Sequence, residues 1–379
     1  MNKSYYDMIY LLSCGANKVI PEQAFIKELE LETIFQISCA HSLEAFIGMT
    51  LKNAGVVLPK EWNERILKAI RKVMLFNIER EKLFAFMEEN GIWYLPLKGI
   101  VLKEYYPAIG MRQMADNDIL FDAAFGDEVQ NYMNSQGYKS VSVGVGNHDV
   151  YEKEPVYNFE LHRSLYVAMD WNNWEEYYRD IKKKLIRNSD TSYGYHFTEE
   201  DFYVYIVTHA YKHYARGGTG LRTLLDFYMY LRAKELDFSY IEKECETLGI
   251  KEFELQSRQL CRKVFDDTSL KSVDEFEDLL LEEEKEMLLY YLTSGVYGTL
   301  ERSVKNGMKL FEKSRGSNSK FIYLLNRIFP GIEAFASYPI IYKHKWLLPV
   351  GWVWRILKIL FTKSRRQKAI CEVKVIKKS

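Results

Sequence analysis

Cysteine is scarce in this sequence and follows no metal-binding pattern. Five cysteines occur in 379 residues, and no two of them form a CxxC pair. An odd number of scattered thiols argues against a disulfide framework, and the missing pairs argue against a zinc site built from cysteine. Buried free thiols in a reducing compartment explain them best, so the sequence predicts a cytoplasmic protein.

Proline and long apolar runs are scarce as well. The chain has 8 prolines, so most long segments are free of helix breakers and a mainly helical protein is predicted. No run reaches the ~18 uncharged apolar residues that a membrane-spanning helix needs. The first residues also lack the apolar core and cleavage site of a secretion signal.

Net charge is absent too. The 52 basic and 52 acidic residues cancel, and this balance does not indicate a polyanionic partner such as nucleic acid. The charges are unevenly spread, because the stretch from Lys358 to Lys378 is strongly basic and holds a single acid, Glu372. We expect this stretch to be a solvated tail.

Helical periodicity dominates both ends of the chain. Apolar residues recur at three- and four-residue spacing over Gln23–Leu31, Thr33–Leu51 and Glu61–Met87. This pattern predicts an N-terminal helical region over residues 1–88. The same period returns in residues 196–379, which are predicted to form a C-terminal helical region.

The middle section, residues 89–195, has a different pattern. It alone shows a strand–helix–strand rhythm. Strands are predicted over four segments, which are Ile92–Leu97, Asp116–Phe121, Tyr138–Val145 and Val156–His162. The sequence therefore predicts an α+β fold, in which a mostly helical chain surrounds a small mixed β-sheet core.

Two aspartates stand out in this core. Asp116 and Asp118 flank Asn117 on a predicted strand, so both carboxylates project from one face and Asn117 from the other. Two carboxylates this close repel each other unless a cation lies between them. Mg²⁺ (or Mn²⁺) is the expected ion, because Mg²⁺ binds carboxylate oxygens and keeps positions open for phosphate and water. Such an acid pair alone is also common in surface loops.

Groups suited to phosphate binding lie nearby. Lys98 and Gly99 stand at a predicted strand-to-helix turn, where a glycine lets backbone N–H groups approach a phosphate. Lys98 and Arg112 are predicted to add positive charge. Simple surface exposure is the alternative explanation for both side chains.

A third acid, from a neighbouring strand, is needed to complete a two-metal site. In the strand predicted at Val156–His162, the side chains of Asn158, Glu160 and His162 share one face. Glu160 is therefore predicted to be the third carboxylate, and His162 to face the substrate. A half-exposed strand with a purely structural role shows the same alternation.

Two further pairs lie on predicted helices. His209 and His213 are four residues apart, a spacing that suits zinc, but no third ligand is evident, so a structural or substrate-facing role is predicted. Arg222 and Asp226 are also four apart, which predicts an ion pair along the helix. No Ser-His-Asp set, Walker loop or GxGxxG motif stands out.

The segment Trp346–Phe361 is unusually apolar and holds three tryptophans around Arg355 and Lys358. It follows the pattern of a helix that begins near Pro349. Two interpretations remain open, a peripheral contact with a membrane surface or a partner, and burial as a core or capping helix.

Taken together, these segments resemble a bacterial nucleotidyltransferase family of the polymerase-β-like kind. The run LKGIVLKEYYP, followed by Arg112 and the Asp116–Asp118 strand, is similar to the family's LKG turn, helix and Asp-x-Asp strand. The Glu-Leu-His strand that ends at His162, the HxxxH and LRxLxD helices and the WLLPVGWVWR segment also resemble the family pattern. The resemblance therefore covers roughly residues 90–360.

The resemblance implies a metal-dependent transfer of an NMP group from an NTP to an acceptor, with release of pyrophosphate. Asp116 and Asp118 would hold the metals, and Glu160 would bind one metal and accept the acceptor's proton. Gly99 would line the triphosphate. The acceptor is unspecified, and a small molecule, peptide or protein is expected rather than a nucleic acid.

Two positions depart from the family pattern. Ile100 follows Gly99 where the wider superfamily has a second small residue, and Asn117 replaces an aliphatic residue between the two acids. These departures motivate an alternative function, a catalytically degenerate nucleotide-binding or scaffold protein on the same fold. Replacing Asn117 with Ile is expected to leave the chemistry unchanged and to raise stability by removing a buried polar group.

Overall fold

Helices form most of the molecule, and a five-stranded mixed sheet occupies the middle of the chain. The computed structural model describes residues 1–167, 173–295, 298–315, 319–335 and 338–378. This architecture confirms the predicted α+β class, a mostly helical chain with a small mixed sheet.

The N-terminal part is helical throughout. Its helices are α1 (Lys3–Asn17), α2 (Gln23–Lys27), α3 (Leu31–His41), α4 (Glu44–Asn53) and α5 (Lys60–Glu89). The periodic segment Thr33–Leu51 is divided between two helices, because α3 ends before Ser42, whose φ is 54°. A residue in this left-handed conformation ends a right-handed helix, and the Ser42 N–H caps the preceding turn.

The long helix α5 joins two apolar cores. Near its start, Trp62 and Ile66 are buried among the other N-terminal helices. Further along, Val73, Phe76 and Leu83 are buried against the sheet. The spacing of these residues follows one face of a helix, so a single element fixes the sheet relative to the helical part.

The central sheet has the strand order β1-β2-β5-β4-β3. Its strands are β1 (Tyr94–Pro96), β2 (Asn117–Phe121), β3 (Lys139–Ser142), β4 (His148–Lys153) and β5 (Tyr157–His162). The pair β2 and β5 is parallel, and the other neighbours are antiparallel. Between β1 and β2 lie the short helix α6 (Gly99–Leu102) and a 3-10 turn, and α7 (Gly126–Ser135) connects β2 to β3.

Strand β4 was not expected from the sequence. Its inward-facing positions hold Asp149 and Tyr151. An apolar residue is expected at such a position, and Asp149 breaks that pattern. The buried Asp149 carboxylate is paired with Arg163 and accepts a hydrogen bond from the Gly144 N–H. The strand predicted over Tyr138–Val145 is correspondingly shorter and ends at Ser142.

The rest of the chain returns to helices after a small hairpin of β6 (Ile186–Arg187) and β7 (Tyr195–His196). These helices are α8 (Trp174–Arg179), α9 (Glu199–Arg216), α10 (Leu221–Ala233), α11 (Phe238–Thr247), α12 (Lys251–Phe265), α13 (Val273–Asp278), α14 (Glu282–Ser294), α15 (Leu300–Arg315), α16 (Lys320–Ile328), α17 (Pro339–Lys343), α18 (Leu348–Phe361) and α19 (Lys363–Lys378). None of the described helices is both long and apolar enough to cross a membrane.

The first and the later helices share one apolar core. Buried residues from α1, α3 and α4 contact those of α9 to α14 in a continuous cluster. Polar bonds support this packing, since Ser13 Oγ donates to the Phe265 carbonyl across 2.8 Å and Tyr228 donates to Asn17. The division into residues 1–88, 89–195 and 196–379 stays a prediction.

Candidate active site

The three predicted acids line one cavity. Strands β2 and β5 place Asp118 directly opposite Glu160, and opposite residues of neighbouring strands project from the same face. Asp116 immediately precedes β2. All three side chains border a cavity of about 360 Å³ that α9 and α10 close from the other side.

Burial and mutual repulsion alter how these acids ionise. Burial, together with the Asp118 and Glu160 carboxylates, raises the pKa of Asp116 to about 8. Burial and the Asp118 charge raise the pKa of Glu160 to about 7. Burial alone would raise the pKa of Asp118 too, but the Lys98 ammonium and a hydrogen bond from His162 outweigh it and hold that pKa well below its usual range. The cavity therefore favours an added cation, because full ionisation of all three acids needs more positive charge.

Lys98 supplies part of that charge. Its Nζ lies 2.7 Å from Asp118 Oδ1, so the ammonium occupies a cation position beside the acids. The backbone of Lys98 has φ 44° and ψ −116°, a conformation that residues other than glycine rarely adopt. Such strain persists only where surrounding structure enforces it, and it often marks functional sites. Here the strained turn brings the end of β1 to the carboxylates.

Gly99 is required by close packing at the same turn. A Cβ at this position would lie 2.4 Å from Arg112 Nη1 and 3.0 Å from the sulfur of Met114. The guanidinium of Arg112 can therefore approach the backbone of the turn only because residue 99 has no side chain. Helix α6 begins here but has only four residues.

Arg112 is bound in a buried ion pair with Asp226 of α10. Its Nε and Nη2 donate to the two carboxylate oxygens across 2.8 and 2.9 Å, and Tyr106 donates to the same carboxylate across 2.6 Å. This two-pronged geometry holds α10 against the segment before β2. The ion pair predicted between Arg222 and Asp226 is wrong, because Arg112 and Tyr106 already occupy that carboxylate.

Arg222 consequently keeps its charge available to the cavity. Its guanidinium lines the cavity, and Nη1 donates to the backbone carbonyl of Gln113 across 3.5 Å. Among the described residues, no carboxylate pairs with it at ion-pair distance. Burial and the nearby Arg112 charge lower the pKa of Arg222, and together they outweigh the favourable charge of Asp226.

Asn117 has a partner on the core side of β2. Its Oδ1 accepts a hydrogen bond from Arg80 Nη1 of α5 across 3.0 Å, and both side chains are buried. Arg80 also donates to Asn77 across 2.7 Å. The polar residue between the two acids therefore satisfies a buried arginine.

His162 contacts the acid cluster directly. It is buried at the end of β5, and its Nε2 lies 2.9 Å from Asp118 Oδ1. Burial lowers the pKa of His162 to about 4, so the ring is neutral at neutral pH. A neutral ring that donates to Asp118 holds this carboxylate in place.

The second imidazole at the cluster, His148 of β4, was missed by sequence reasoning. Its Nε2 lies 3.9 Å from Glu160 Oε2. Burial and the Lys98 charge lower its pKa. Within the described residues, His148, Glu160 and His162 are the one set of three possible ligands whose ligand atoms lie within 4.8 Å of one another.

His209 and His213 lie on α9 at the opposite wall of the cavity. Their Nε2 atoms are 3.3 Å apart, so the two rings contact each other. Burial, followed by the Lys98 charge, lowers the pKa of His213 to about 4 and that of His209 well below its usual range. Both are neutral imidazoles that offer polar atoms to whatever occupies the cavity.

The chemistry of this donor set fits a divalent cation. Asp116, Asp118 and Glu160 bring oxygen ligands to one cavity, and a bound dication would offset the burial and mutual repulsion that raise the pKa of Asp116 and Glu160. Lys98 already occupies a cation position beside Asp118.

The sequence predicted the acids but not all of the residues that hold them in place. It named each of the acids, the two turn residues and His162, because strand alternation and a known motif mark them. It missed His148 and Arg80, since neither stands in a recognisable motif. The signal that could have found His148 is the pairing of β4 with β5, which sets His148 opposite His162.

One family of known proteins matches this chain. The sequence model of a family described as "Uncharacterised nucleotidyltransferase" matches residues 27–266, which are 240 of the 379 residues. The matched region contains all the cavity residues discussed above. No curated protein and no solved structure matches the chain with significance.

Proposed function

The chain belongs to the uncharacterised nucleotidyltransferase family, and from this premise we propose that it moves an NMP group from an NTP to an acceptor. The observation that carries the proposal is the placement of Asp118 opposite Glu160, with Asp116 in the same cavity. Three acids on one face of a sheet suit two-metal nucleotidyl transfer.

The reaction is a substitution at phosphorus. An oxygen of the acceptor attacks the α-phosphorus, the bond between that phosphorus and the bridging oxygen to the β-phosphate breaks, and pyrophosphate leaves. Asp116, Asp118 and Glu160 would hold Mg²⁺ or Mn²⁺, and bound dications neutralise charge that develops on the phosphoryl oxygens. Glu160 lines the same cavity and would also accept the proton of an attacking hydroxyl.

We assign the triphosphate to the cationic wall of the cavity. Arg222 pairs with no carboxylate in the part of the chain that the structure describes, and it lines the same cavity as the acids. Lys98 and Gly99 form the turn at its other edge. Arg112 contributes mainly by position, since two of its nitrogens are held by Asp226. A polyanion is the ligand whose charge complements this wall.

The acceptor side of the cavity is polar but not strongly charged. His209, His213, Thr219 and Thr223 line it, and the two imidazoles are neutral. These groups suit hydroxyl or amide groups of a small molecule, peptide or protein. A nucleic-acid acceptor is disfavoured because the chain has no net positive charge.

Incubation of the protein with labelled ATP, GTP, CTP and UTP plus Mg²⁺ or Mn²⁺ tests this proposal. Pyrophosphate release and mass spectrometry of protein and small-molecule pools are the readouts. Asp116→Ala should reduce transfer by ~10²–10³-fold, because it removes charge stabilisation at the reacting phosphate. Asp127→Ala, which removes an exposed carboxylate of α7, is the matched control.

Calorimetry separates binding from turnover. NTP should bind much more tightly with Mg²⁺ than without it, and Asp118→Asn should weaken this metal-dependent binding. Release that survives Asp116→Ala would refute the assignment to this cavity. Metal-dependent binding without any release would instead favour the alternative, a degenerate nucleotide-binding or scaffold protein.

Helix α18 offers a second surface, for which we propose a peripheral membrane contact. Its exposed apolar side chains recur along one face at helical spacing, and they are Val350, Val353, Trp354, Leu357, Leu360 and Phe361. The opposite face packs inward, since Trp352 donates to the Pro330 carbonyl and Gly351 is buried. The strongly basic helix α19 follows directly, and its charge suits an anionic lipid surface. A cytoplasmic location remains part of this proposal.

A further inference from the structure

The amide of Asn147 has a fixed orientation beside the acid cluster. Its Nδ2 lies 3.3 Å from the carbonyl oxygen of Ser164 and 3.2 Å from that of Leu165. Carbonyl oxygens only accept hydrogen bonds, so the reversed orientation would bring three acceptor oxygens together. The amide oxygen therefore faces the other way, towards Nδ1 of His148 at 3.1 Å.

This orientation sets the tautomers of two histidines. Because Asn147 Oδ1 is an acceptor, His148 carries its proton on Nδ1, and its Nε2 holds a lone pair. His162 has the opposite tautomer, since its Nδ1 lies 3.4 Å from the donor Nδ2 of Asn147. The proton of His162 is therefore on Nε2, which donates to Asp118.

The His148 Nε2 lone pair lies close to the Glu160 carboxyl group without a hydrogen bond between them. Nε2 of His148 and Oε2 of Glu160 are 3.9 Å apart, too far for a hydrogen bond, and both atoms are acceptors. Two acceptor atoms at this distance are close enough to share a cation. His148 is also partly exposed, so an ion can reach it from solvent.

We propose that Nε2 of His148 and the carboxylate of Glu160 bind a divalent first-row transition-metal ion together. This inference rests on one part of the proposed function, which is that the acid cluster binds a metal ion. An imidazole nitrogen favours ions such as Mn²⁺, Co²⁺ or Zn²⁺ over Mg²⁺, which prefers oxygen ligands. His162 is excluded as a ligand because its Nε2 proton is committed to Asp118, and it acts as a positioning residue.

Metal titration of the full chain without nucleotide tests this selectivity. Co²⁺ and Mn²⁺ should bind the wild type more tightly than Mg²⁺. His148→Ala should weaken Co²⁺ binding by at least ~10-fold while Mg²⁺ binding changes little. His196→Ala is the control, because His196 is an exposed histidine outside the cavity.

Pulsed EPR of bound Mn²⁺ gives a readout in the wild type, which does not depend on folding of a variant, and variants then assign the coupled nitrogen. The wild type should show coupling to a ¹⁴N nucleus, His148→Ala should lose it, and His162→Gln should keep it. Equal affinity for Co²⁺ and Mg²⁺, or a ¹⁴N coupling that is absent or survives His148→Ala, would overturn the proposal. Nitrogen coordination in a protein that never releases pyrophosphate would support this site and refute the proposed reaction instead.

Discussion

Asn117 and Arg80 join strand β2 to helix α5 through a buried hydrogen bond of 3.0 Å. The bond lies directly behind the two aspartates, because Asn117 separates Asp116 from Asp118 and projects from the other face of the strand. Asn117, in place of an aliphatic residue, therefore supplies a hydrogen-bond acceptor to a buried arginine. The acid strand is fixed to the long helix by this contact.

Asn117→Ile should therefore destabilise the protein, contrary to the expectation from the sequence. The substitution leaves the buried Arg80 guanidinium with one partner fewer, which should lower the free energy of unfolding by about 2 kcal/mol. Urea unfolding measures this change. The double variant Arg80→Met with Asn117→Ile removes both polar groups and should recover most of the loss. Equal or higher stability of the single variant would contradict this role for Arg80.

Arg222→Gln should weaken binding of NTP with little effect on stability. Arg222 lacks a carboxylate partner among the described residues, so its removal breaks no ion pair, whereas a bound triphosphate would lose a charge-assisted contact. We expect the Kd for NTP to rise about 10-fold or more. Arg187→Gln, at an exposed position of β6, is the matched control, and equal effects of the two variants would refute the assignment.

His162 should act by positioning Asp118. His162→Gln keeps an N–H donor near the position of Nε2, whereas His162→Leu removes it at similar volume. Metal affinity should fall about 10-fold or more in the leucine variant and be partly retained in the glutamine variant. Metal titration together with thermal unfolding separates this role from a structural one. Equal losses of affinity in both variants would show that the hydrogen bond has no part in metal binding.

The sequence predicted those parts of the site that depend on local pattern. Alternation in two strands placed Asp118 and Glu160 on polar faces, and the parallel pairing of β2 with β5 then brings these faces together. Two-residue periodicity and turn residues are local properties, so they can be read without knowing the fold. Helical periodicity is also local, and the predicted segment Glu61–Met87 therefore agrees closely with α5.

The parts that sequence could not supply depend on long-range pairing. Arg112 and Asp226 are 114 positions apart, and the nearer candidate Arg222 satisfied the helical spacing rule. Strand β4 carries an inward-facing acid whose partner, Arg163, lies beyond the next strand. Strand prediction expects apolar residues at inward-facing positions, and a buried ion pair puts a charged residue at one of them. The sequence therefore did not indicate β4, nor His148 at its start.

Binding of α18 to membranes should depend on its exposed apolar face. Trp354 is 48% exposed and Phe361 is 85% exposed, although both are large and apolar. Replacing both with Ser should reduce binding to vesicles that contain anionic lipid by about 10-fold or more, because buried apolar area drives such binding. Vesicle flotation measures this, and Leu67→Ser, at an exposed apolar position of α5, is the control. Unchanged flotation would refute the membrane contact.

The pH dependence of stability should reveal Asp116. Burial and the carboxylates of Asp118 and Glu160 raise the pKa of Asp116 to about 8, whereas an unfolded chain loses this proton near pH ~4. The folded state thus binds an extra proton between these values, so the free energy of unfolding falls as pH rises through this range. Burial lowers the pKa of His162 and His213 to about 4. These groups have the opposite effect on the free energy of unfolding, because the stability that they contribute is lost as pH falls.

A comparison of the wild type with Asp116→Asn isolates the acid, since both proteins carry the same histidines. In buffer without metal, the variant should gain about 2 kcal/mol of stability relative to the wild type between about pH 6 and pH 9, as measured by urea unfolding. Asp127→Asn should show no such trend, because its carboxylate is exposed. Added Mn²⁺ should reduce the gap at high pH, because a bound dication favours the ionised form of Asp116 and stabilises the wild type. A gap that stays constant from pH ~6 to ~9 would show that Asp116 ionises freely and that the cluster does not need a cation.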